Sequence, residues 1–340
     1  MVDPKRARLK DVAQRAGVSM MTVSRVLNQD DKVSAKTREK VLSIANSMGY
    51  RPNVSARRLA SNKSFFIGLL YDNPSQAYIS QFLLSALHSC RSKGYHLIVE
   101  KADDDIENTL ISIKQLIDET QMDGMILLPP VCDDKAILSY LKQVNMPFVR
   151  IAPDSDLTLS PYICMDDYQA AFDVTEQLIQ AGHSRIAHII GDLKQGVSRL
   201  RYQGFLDALR SNQITVAPEY IINGSFTYQS GMQASAALLD LPLRPTAIFA
   251  ANDEMAAAAI SVAQSRGLNV PNDVAVVGFD DTQLATIVWP HITTVKQPID
   301  DMAHVAISVL TADEPYDGTH SQARHVLDFE IVHRGSSLTK

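Results

Sequence analysis

Apolar residues fall at helical spacing in three short stretches near the start of the chain. In 9–16, Val12, Ala13 and Ala16 share one face, and Gly17-Val18 follows as a turn. Ser19 is placed to cap a second helix whose apolar face holds Val23, Val26 and Leu27. The polar run Asn28 to Lys32 reads as a loop. Ser34 then caps a third helix, with Val41, Ile44, Ala45 and Met48 at i, i+3, i+4, i+7 and Gly49 closing it. Two helices of about eight residues joined by a glycine turn make a helix-turn-helix unit, and the third helix completes its small core.

The segment Asn53 to Ala60 behaves differently, because a helix of about eight residues is marginal in water on its own. Pro52 before it and the polar Ser61-Asn62-Lys63 after it mark a hinge. From Phe65 the pattern changes to apolar strand runs alternating with amphipathic helices, with strands expected at 66–71, 95–100, 124–128, 148–151, 186–190, 247–250 and 274–279. That alternation predicts an α/β body of two parallel-sheet lobes covered on both faces, behind a small all-α head. The organisation expected is a flexible arm over 1–8, the helix-turn-helix domain at 9–52, the hinge at 53–63 and the body at 64–340. One lobe would take about 64–162 and 294–325, the other about 163–293 and 326–340. Ligands of such folds sit outside the carboxyl ends of the strands, here between the lobes.

Charge divides the chain at the same place. Up to Lys63 there are 14 Lys and Arg against 5 Asp and Glu, whereas the remainder carries 18 against 33. A basic head on an acidic body suits an anionic polymer at one end and repels it elsewhere. The 340 residues, 46% hydrophobic, suffice for a small module and a large body with its own core. No run approaches the roughly 18 apolar residues that span a bilayer, and Met1 to Lys10 has charges without an apolar run behind them, so a cytoplasmic location is expected. Cys90, Cys132 and Cys164 are odd in number, far apart and set among apolar residues. They fit neither a disulfide framework nor a zinc spacing and read as buried packing residues.

In a helix-turn-helix unit the start of the second helix enters the major groove of DNA, which puts Met20, Met21 and Arg25 forward. Arg25 can pair with guanine O6 and N7, and the methionines offer apolar contact to thymine methyls. Ser19, Thr22, Ser24, Asn28, Lys32, Ser34 and Thr37 are the short polar or basic groups expected to hold phosphates. In the body, Asp72-Asn73 to Tyr78, Ala251-Asn252-Asp253 and Gly278 to Asp281 follow strand runs. Carboxylates, amides and an arginine beside aromatic rings suit a polyhydroxylated ring, each hydroxyl of which both donates and accepts. Arg201 would supply a fork of donors, Asp280 the paired acceptors, and Phe226, Tyr78 or Trp289 a face for stacking.

The run from Leu9 to Ser61, with DVA, AGVS, TVSRVLN, VSAKTREKV, GYRPN and ARRLA in order, resembles the DNA-binding head of the lactose and galactose repressor family of bacterial transcription regulators. The resemblance continues through IGLLYDNP, the spacing from Gly191 to Arg201, PTAIFAANDEMAAAAI, VPNDVAVVGFDD and WPHITTVKQP, in a body similar to periplasmic sugar-binding proteins. It implies that Met20, Met21 and Arg25 choose the operator and that Tyr50 joins the DNA-binding set. It also implies that the hinge becomes helical in the minor groove when two copies meet, with Leu59 wedged between base pairs and Asn53, Ala56 and Arg57 near the groove walls. Carried over by position, Asn73, Tyr78, Arg201, Phe226, Asn252 and Asp280 fall on the effector pocket, joined by Asp166 or Asp167. Where many members have Asn-Pro-Phe-Phe after the first strand, this chain has Gln76-Ala77-Tyr78-Ile79, which puts a tyrosine towards the ligand. Lys340 closes the sequence without a leucine heptad, so a homodimer is expected rather than a tetramer.

No GxSxG elbow, P-loop, Gly-rich dinucleotide fingerprint or HExxH is present, and the nine histidines lack metal-ligand spacing. His183 follows a helix end, where it suits the helix dipole better than base chemistry. Neither catalysis, a cofactor nor a metal is expected. A plain solute-binding protein would suit the body alone, but not the basic head. The reading is a sequence-specific DNA-binding transcriptional regulator, a repressor of carbohydrate uptake or breakdown genes controlled by a sugar between the lobes. A purine-responsive or partner-protein-controlled regulator of the same architecture is the alternative.

Overall fold

In the computed structural model, which describes residues 7–27, 32–50, 63–312 and 323–337, the helical stretches of the head are α1 (Leu9–Ala16), α2 (Met20–Leu27) and α3 (Ala35–Ser47). α1 stops at Gly17, whose φ of 65° is open to a glycine at no steric cost and lets the Val18 N–H reach back to the Ala13 carbonyl at 3.1 Å. Ser19 Oγ accepts from the Thr22 N–H at 3.1 Å and Ser34 Oγ from the Thr37 N–H at 3.4 Å, so both following helices begin at the expected caps. Val12, Ala13, Ala16, Val23, Val26, Val41 and Ala45 close the core, with Leu27, Ile44 and Met48 at its margin. Asn28, the arm over 1–6 and the hinge except Lys63 lie outside the described residues. The chain divides into two units, Met1–Ser64 and Phe65–Lys340.

The second unit holds two six-stranded sheets. The first is ordered β11-β5-β4-β3-β1-β2, from β1 (Phe66–Tyr71), β2 (His96–Lys101), β3 (Gly124–Leu127), β4 (Phe148–Ile151), β5 (Tyr162–Cys164) and β11 (Arg324–Val326). The second is ordered β12-β10-β9-β8-β6-β7, from β6 (Ile186–Ile190), β7 (Ile221–Asn223), β8 (Ala247–Ala250), β9 (Ala275–Asp280), β10 (Thr293–Lys296) and β12 (Glu330–Val332). All pairs are parallel except β10 with β12. The central strands β3, β4, β6, β8 and β9 are buried along their whole length, as parallel strands covered by helices on both faces must be.

Those helices are α4 (Gln76–Ser92), α5 (Ile106–Thr120), α6 (Lys135–Gln143), α7 (Asp167–Gln180), α8 (Gly196–Ser211), α9 (Tyr228–Leu239), α10 (Asp253–Ser265), the single turn α11 (Leu284–Ile287) and α12 (Ile299–Leu310). None of the described helices is long and apolar enough to cross a membrane.

The sheet pairing moves the crossings between lobes slightly from where the sequence pattern put them. β5 belongs to the first sheet, so the chain leaves that lobe after Cys164 rather than near 162. β10 belongs to the second, so the return comes at Gln297 rather than 294, and the last crossing runs from Val326 to Glu330. The strand Thr-Thr-Val-Lys, with one apolar residue among polar ones, offers too little apolar pattern to announce itself. Cys90 and Cys132 are buried as expected, whereas Cys164 is half-buried.

Candidate functional site

On the head, the two methionines that open α2 point outward, Met20 55% and Met21 63% exposed, while Val23 and Val26 one turn on are sealed in the core. Arg25, Lys32, Ser19 and Ser34 are exposed, and Thr22, Ser24 and Thr37 half-buried. Ser19 and Ser34 hold the same arrangement at two helix starts: each serine oxygen caps its helix and lies 2.9 Å from the hydroxyl of the threonine three residues on. Such N-termini carry partial positive charge and suit phosphate oxygens. Tyr50 packs half-buried against the head core, and burial raises its hydroxyl pKa. Asn28, Asn53, Ala56, Arg57 and Leu59 lie outside the described residues.

In the body, the carboxyl ends of both sheets face one cleft, and the helices leaving them begin there. Its wall includes Asn73, Ser75, Tyr78, Pro129, Ala152, Gln195, Val197, Arg201, Phe226, Asp280, Gln297 and Met302. Arg201, on α8, is its centre of charge. Its Nε and Nη2 each lie 2.8 Å from Asp167 Oδ1, its Nη1 donates to the Ala251 carbonyl at 2.7 Å and lies 3.8 Å from Asp280 Oδ1. The guanidinium carbon rests 3.6 Å from the centroid of the Phe279 ring, a face-on cation–π arrangement.

Asp166 and Asp167 take different places at the start of α7. Asp166 is its exposed N-cap, accepting from the Gln169 N–H at 2.9 Å, and Asp167, the first helical residue, turns its buried carboxylate to Arg201. Burial raises the Asp167 pKa, against the pull of Arg201. Asp280 ends β9 with φ 111°, a backbone region a non-glycine residue rarely adopts. Its Oδ1 accepts from Gln297 Nε2 at 2.5 Å. Burial pushes this carboxyl up to about 7; Arg201 and then the Gln297 bond draw it down, and Asp167 and Glu254 add to the rise. Behind it Asp253 accepts from the Thr282 N–H and from the Thr282 and Thr294 hydroxyls, and burial followed by the Asp280 charge holds it well above the ordinary carboxylate range. Burial also raises Tyr78, which is part of the wall.

Of the expected pocket residues, Asp166 and Asp167 are not in the wall, and Asn252 and Trp289 stand elsewhere. Asn252 is buried behind the wall: its Oδ1 caps α10 at the Met255 N–H, 3.0 Å, and its Nδ2 donates to the Phe226 carbonyl at 2.9 Å. It holds Phe226, whose φ is 60°, and the ring fits because Gly191 has no side chain; a Cβ there would lie 2.1 Å from Phe226 Cζ. Trp289 is outside the cleft. After β9 the turn of α11 carries the chain to the outer face, where Trp289 is 73% exposed beside the exposed Ile287, edge-on to His291 at 5.2 Å.

Sequence reasoning missed Gln195, Gln297 and Ser75. Gln297 follows a strand that the apolar pattern did not reveal, and Ser75 lies within a stretch that was singled out for its neighbours. Gln195 is the N-cap of α8 but makes no capping bond, and its buried Nε2 meets no acceptor among the described residues. Also among the described residues, no group of three or more His, Cys, Asp or Glu is placed to hold a metal ion.

Comparison with known proteins matches both parts of the chain. Residues 8–53 match the bacterial regulatory proteins of the lacI family, and 175–337 match a periplasmic binding protein-like domain. The chain is 36% identical to catabolite control protein A of Priestia megaterium, over 94% of this chain and 97% of that protein. It is 35% identical to the transcriptional repressor CytR of Escherichia coli K12, over 97% and 96%. The ribose operon repressor of the same organism is 33% identical over 97% and 100%. Among solved structures, the lac repressor dimer bound to operator and the anti-inducer ONPF aligns at a TM-score of 0.76 with 30% identity, over 98% of this chain and all of that one. The complex of the transcriptional regulator CelR with cellobiose aligns at 0.72 with 29% identity and the same coverage.

Proposed function

The chain belongs to the lacI family of bacterial regulatory proteins, and its matched relatives include transcriptional repressors; from that premise we propose that it represses genes of carbohydrate uptake or breakdown under the control of a sugar bound in the body cleft. The observation that carries the reading is the cleft itself: Arg201 fixed between Asp167 and Asp280, with the Phe226 and Tyr78 rings in the same wall, presents the donors, acceptors and ring faces that a polyol needs. The solved complex of CelR with cellobiose, aligned over nearly all of this chain, supports the same choice of ligand class.

Two copies would act together. Two heads, each presenting Met20, Met21 and Arg25, would read the halves of a near-palindromic operator, with the paired 53–63 segments and Leu59 at its centre. The exposed Ile287 and Trp289 give the body an apolar patch for a second copy to cover, and a lac repressor dimer is among the aligned structures. Effector binding would alter the angle between the lobes and so the spacing of the two hinges, coupling the sites through differential affinity for two states.

The test is operator selection from a random DNA pool with the full-length protein, followed by titration of the selected DNA with and without candidate sugars. A palindromic consensus that Arg25→Ala alters, bound with an affinity that one sugar changes and Arg201→Ala makes insensitive to it, is the expected result. Binding with no sequence preference would refute the reading.

A further inference from the structure

Sulfur is distributed unevenly between the surface and the interior. Ten of the eleven methionines lie within the described residues. Met122, Met125, Met146, Met165, Met255 and Met302 are buried in the body, and Met48 and Met232 are half-buried. Among the ten, only Met20 and Met21 are more than half exposed. These two adjoin each other on the first turn of α2, the part of a helix-turn-helix unit that meets base edges. Neither belongs to the head core, which Val12, Val23, Val26 and Val41 fill and Met48 borders.

The three thiols are poor targets for an oxidant. Cys90 and Cys132 are buried and Cys164 is half-buried; burial pushes Cys90 up to about 12 and holds the other two above the ordinary thiol value. A thiol reacts as its thiolate, which these surroundings disfavour, whereas a thioether reacts without losing a proton. The sulfur most open to a dissolved peroxide therefore lies on the face of the head that reads DNA.

Resting on the operator reading above, we propose that Met20 and Met21 form a paired oxidation site, at which a peroxide weakens operator binding and a thiol-coupled sulfoxide reductase restores it. The thioether sulfur takes one oxygen atom from hydrogen peroxide: an S–O bond forms, the O–O bond breaks and water leaves. The sulfur loses two electrons and the peroxide gains them. In the reverse step two thiols become a disulfide and the oxygen departs as water. Oxidation replaces an apolar side-chain end with a polar one whose oxygen only accepts hydrogen bonds. Thymine presents a methyl group and an acceptor oxygen in the major groove, and the phosphates present further acceptors. Against these the sulfoxide oxygen gives up its water without gaining a donor. The core of the head and the Ser19 cap are untouched, so the head stays folded while its reading surface changes.

The experiment treats the full-length protein with graded hydrogen peroxide, maps sulfoxide by peptide mass spectrometry and measures affinity for the selected operator by fluorescence anisotropy. Met20 and Met21 are expected to oxidise before the buried methionines. Where they carry the sulfoxide, operator affinity should fall about ten-fold or more, the effect of a mismatched base pair. Thermal melting should not change, and methionine sulfoxide reductases A and B with dithiothreitol should return the affinity. Earlier oxidation of the buried methionines overturns the proposal, and so does full affinity with Met20 and Met21 both oxidised. An equal fractional loss in the Met20→Leu, Met21→Leu double variant, measured against its own untreated affinity, overturns it as well. Operator DNA added in excess before the peroxide separates this proposal from the reading beneath it, since it should shield Met20 and Met21 but not Met232. Shielding with no loss of affinity on oxidation removes the switch and keeps the operator contact, whereas no shielding overturns both.

Discussion

Glu254, at the start of α10 in one lobe, accepts hydrogen bonds at the N-terminus of α4 in the other, from Ser75 Oγ at 3.0 Å and the Ala77 N–H at 3.2 Å. A carboxylate there satisfies an otherwise unpaired helix N–H and meets the positive end of the helix dipole. A counterpart lies elsewhere along the lobe boundary: Asp154, just past β4, pairs with Arg199 of α8, and the chain comes so close that a Cβ on Gly196 would lie 2.3 Å from Asp154 Cβ. Each lobe thus lends an acid to the first turn of a helix in the other.

Glu254→Ala removes two charge-assisted bonds and leaves Ser75 and the Ala77 N–H to water. The body should lose about 1.5–3 kcal/mol in urea denaturation, and small-angle scattering of the ligand-free protein should show a larger radius of gyration. An unchanged radius would mean that the contact does not hold the lobes together.

Asn252 acts on the ligand wall from behind, through its bond to the Phe226 carbonyl and its cap on α10. Asn252→Ala should cost about 2 kcal/mol, the sum of a cap and a buried hydrogen bond, and weaken effector binding. Asn252→Asp keeps the capping oxygen but turns an acceptor to the Phe226 carbonyl, so it should keep the start of α10 while losing the binding and the stability of the buried bond. Thermal melting and ligand titration of the two variants separate these contributions.

How much of this was legible follows from which signals are local. The helices of the head and their caps, Ser19 and Ser34, depend on a few consecutive residues, and so do the long apolar strands such as Ile186–Ile190. The short edge strands that the apolar pattern did not announce depend on distant partners, as when Arg324–Val326 pairs with Tyr162–Cys164. In the cleft, Arg201, Asp280, Tyr78 and Phe226 could be picked out because they follow strand runs or bear recognisable chemistry. Trp289 was chosen for its ring alone, yet the turn of α11 takes it to the outer face. Gln195 escaped because a glutamine before a helix looks like an ordinary polar residue until its amide is seen to lack a partner.

On the head, stability and recognition belong to neighbouring residues. Ser19→Ala removes a cap and should destabilise the head by about 1 kcal/mol. Met20→Ala, at an exposed position, should move stability by less than about 0.5 kcal/mol yet change which operator bases are preferred. Chemical denaturation and competition binding on the full chain test the pair. A Met20 variant that destabilises like the Ser19 one would make the methionine a packing residue.

Two buried groups titrate with opposite effects on the fold. His188 is stacked between Phe205 and Phe249, at 4.9 and 4.6 Å, with Nδ1 2.9 Å from the Phe249 carbonyl. Burial depresses its pKa to about 4, the carbonyl bond opposing and Arg201 adding to the fall. A folded value below the unfolded one means that the unfolded chain binds the proton more readily, so this contribution is present above about pH 6.5 and lost as pH falls towards 4. Asp280 runs the other way. Its folded value near 7 lies above the unfolded one, so its contribution is full below about pH 4 and lost as pH rises through 7. Asp280→Asn keeps the shape without the titration and leaves His188 and the other carboxylates in place. The stability advantage of this variant over the parent should therefore grow by about 2 kcal/mol from about pH 5 to about pH 8, read from urea denaturation at each pH. If the two proteins keep a constant difference across that range, Asp280 enters the fold already ionised and the cleft is held together by its pairing with Arg201.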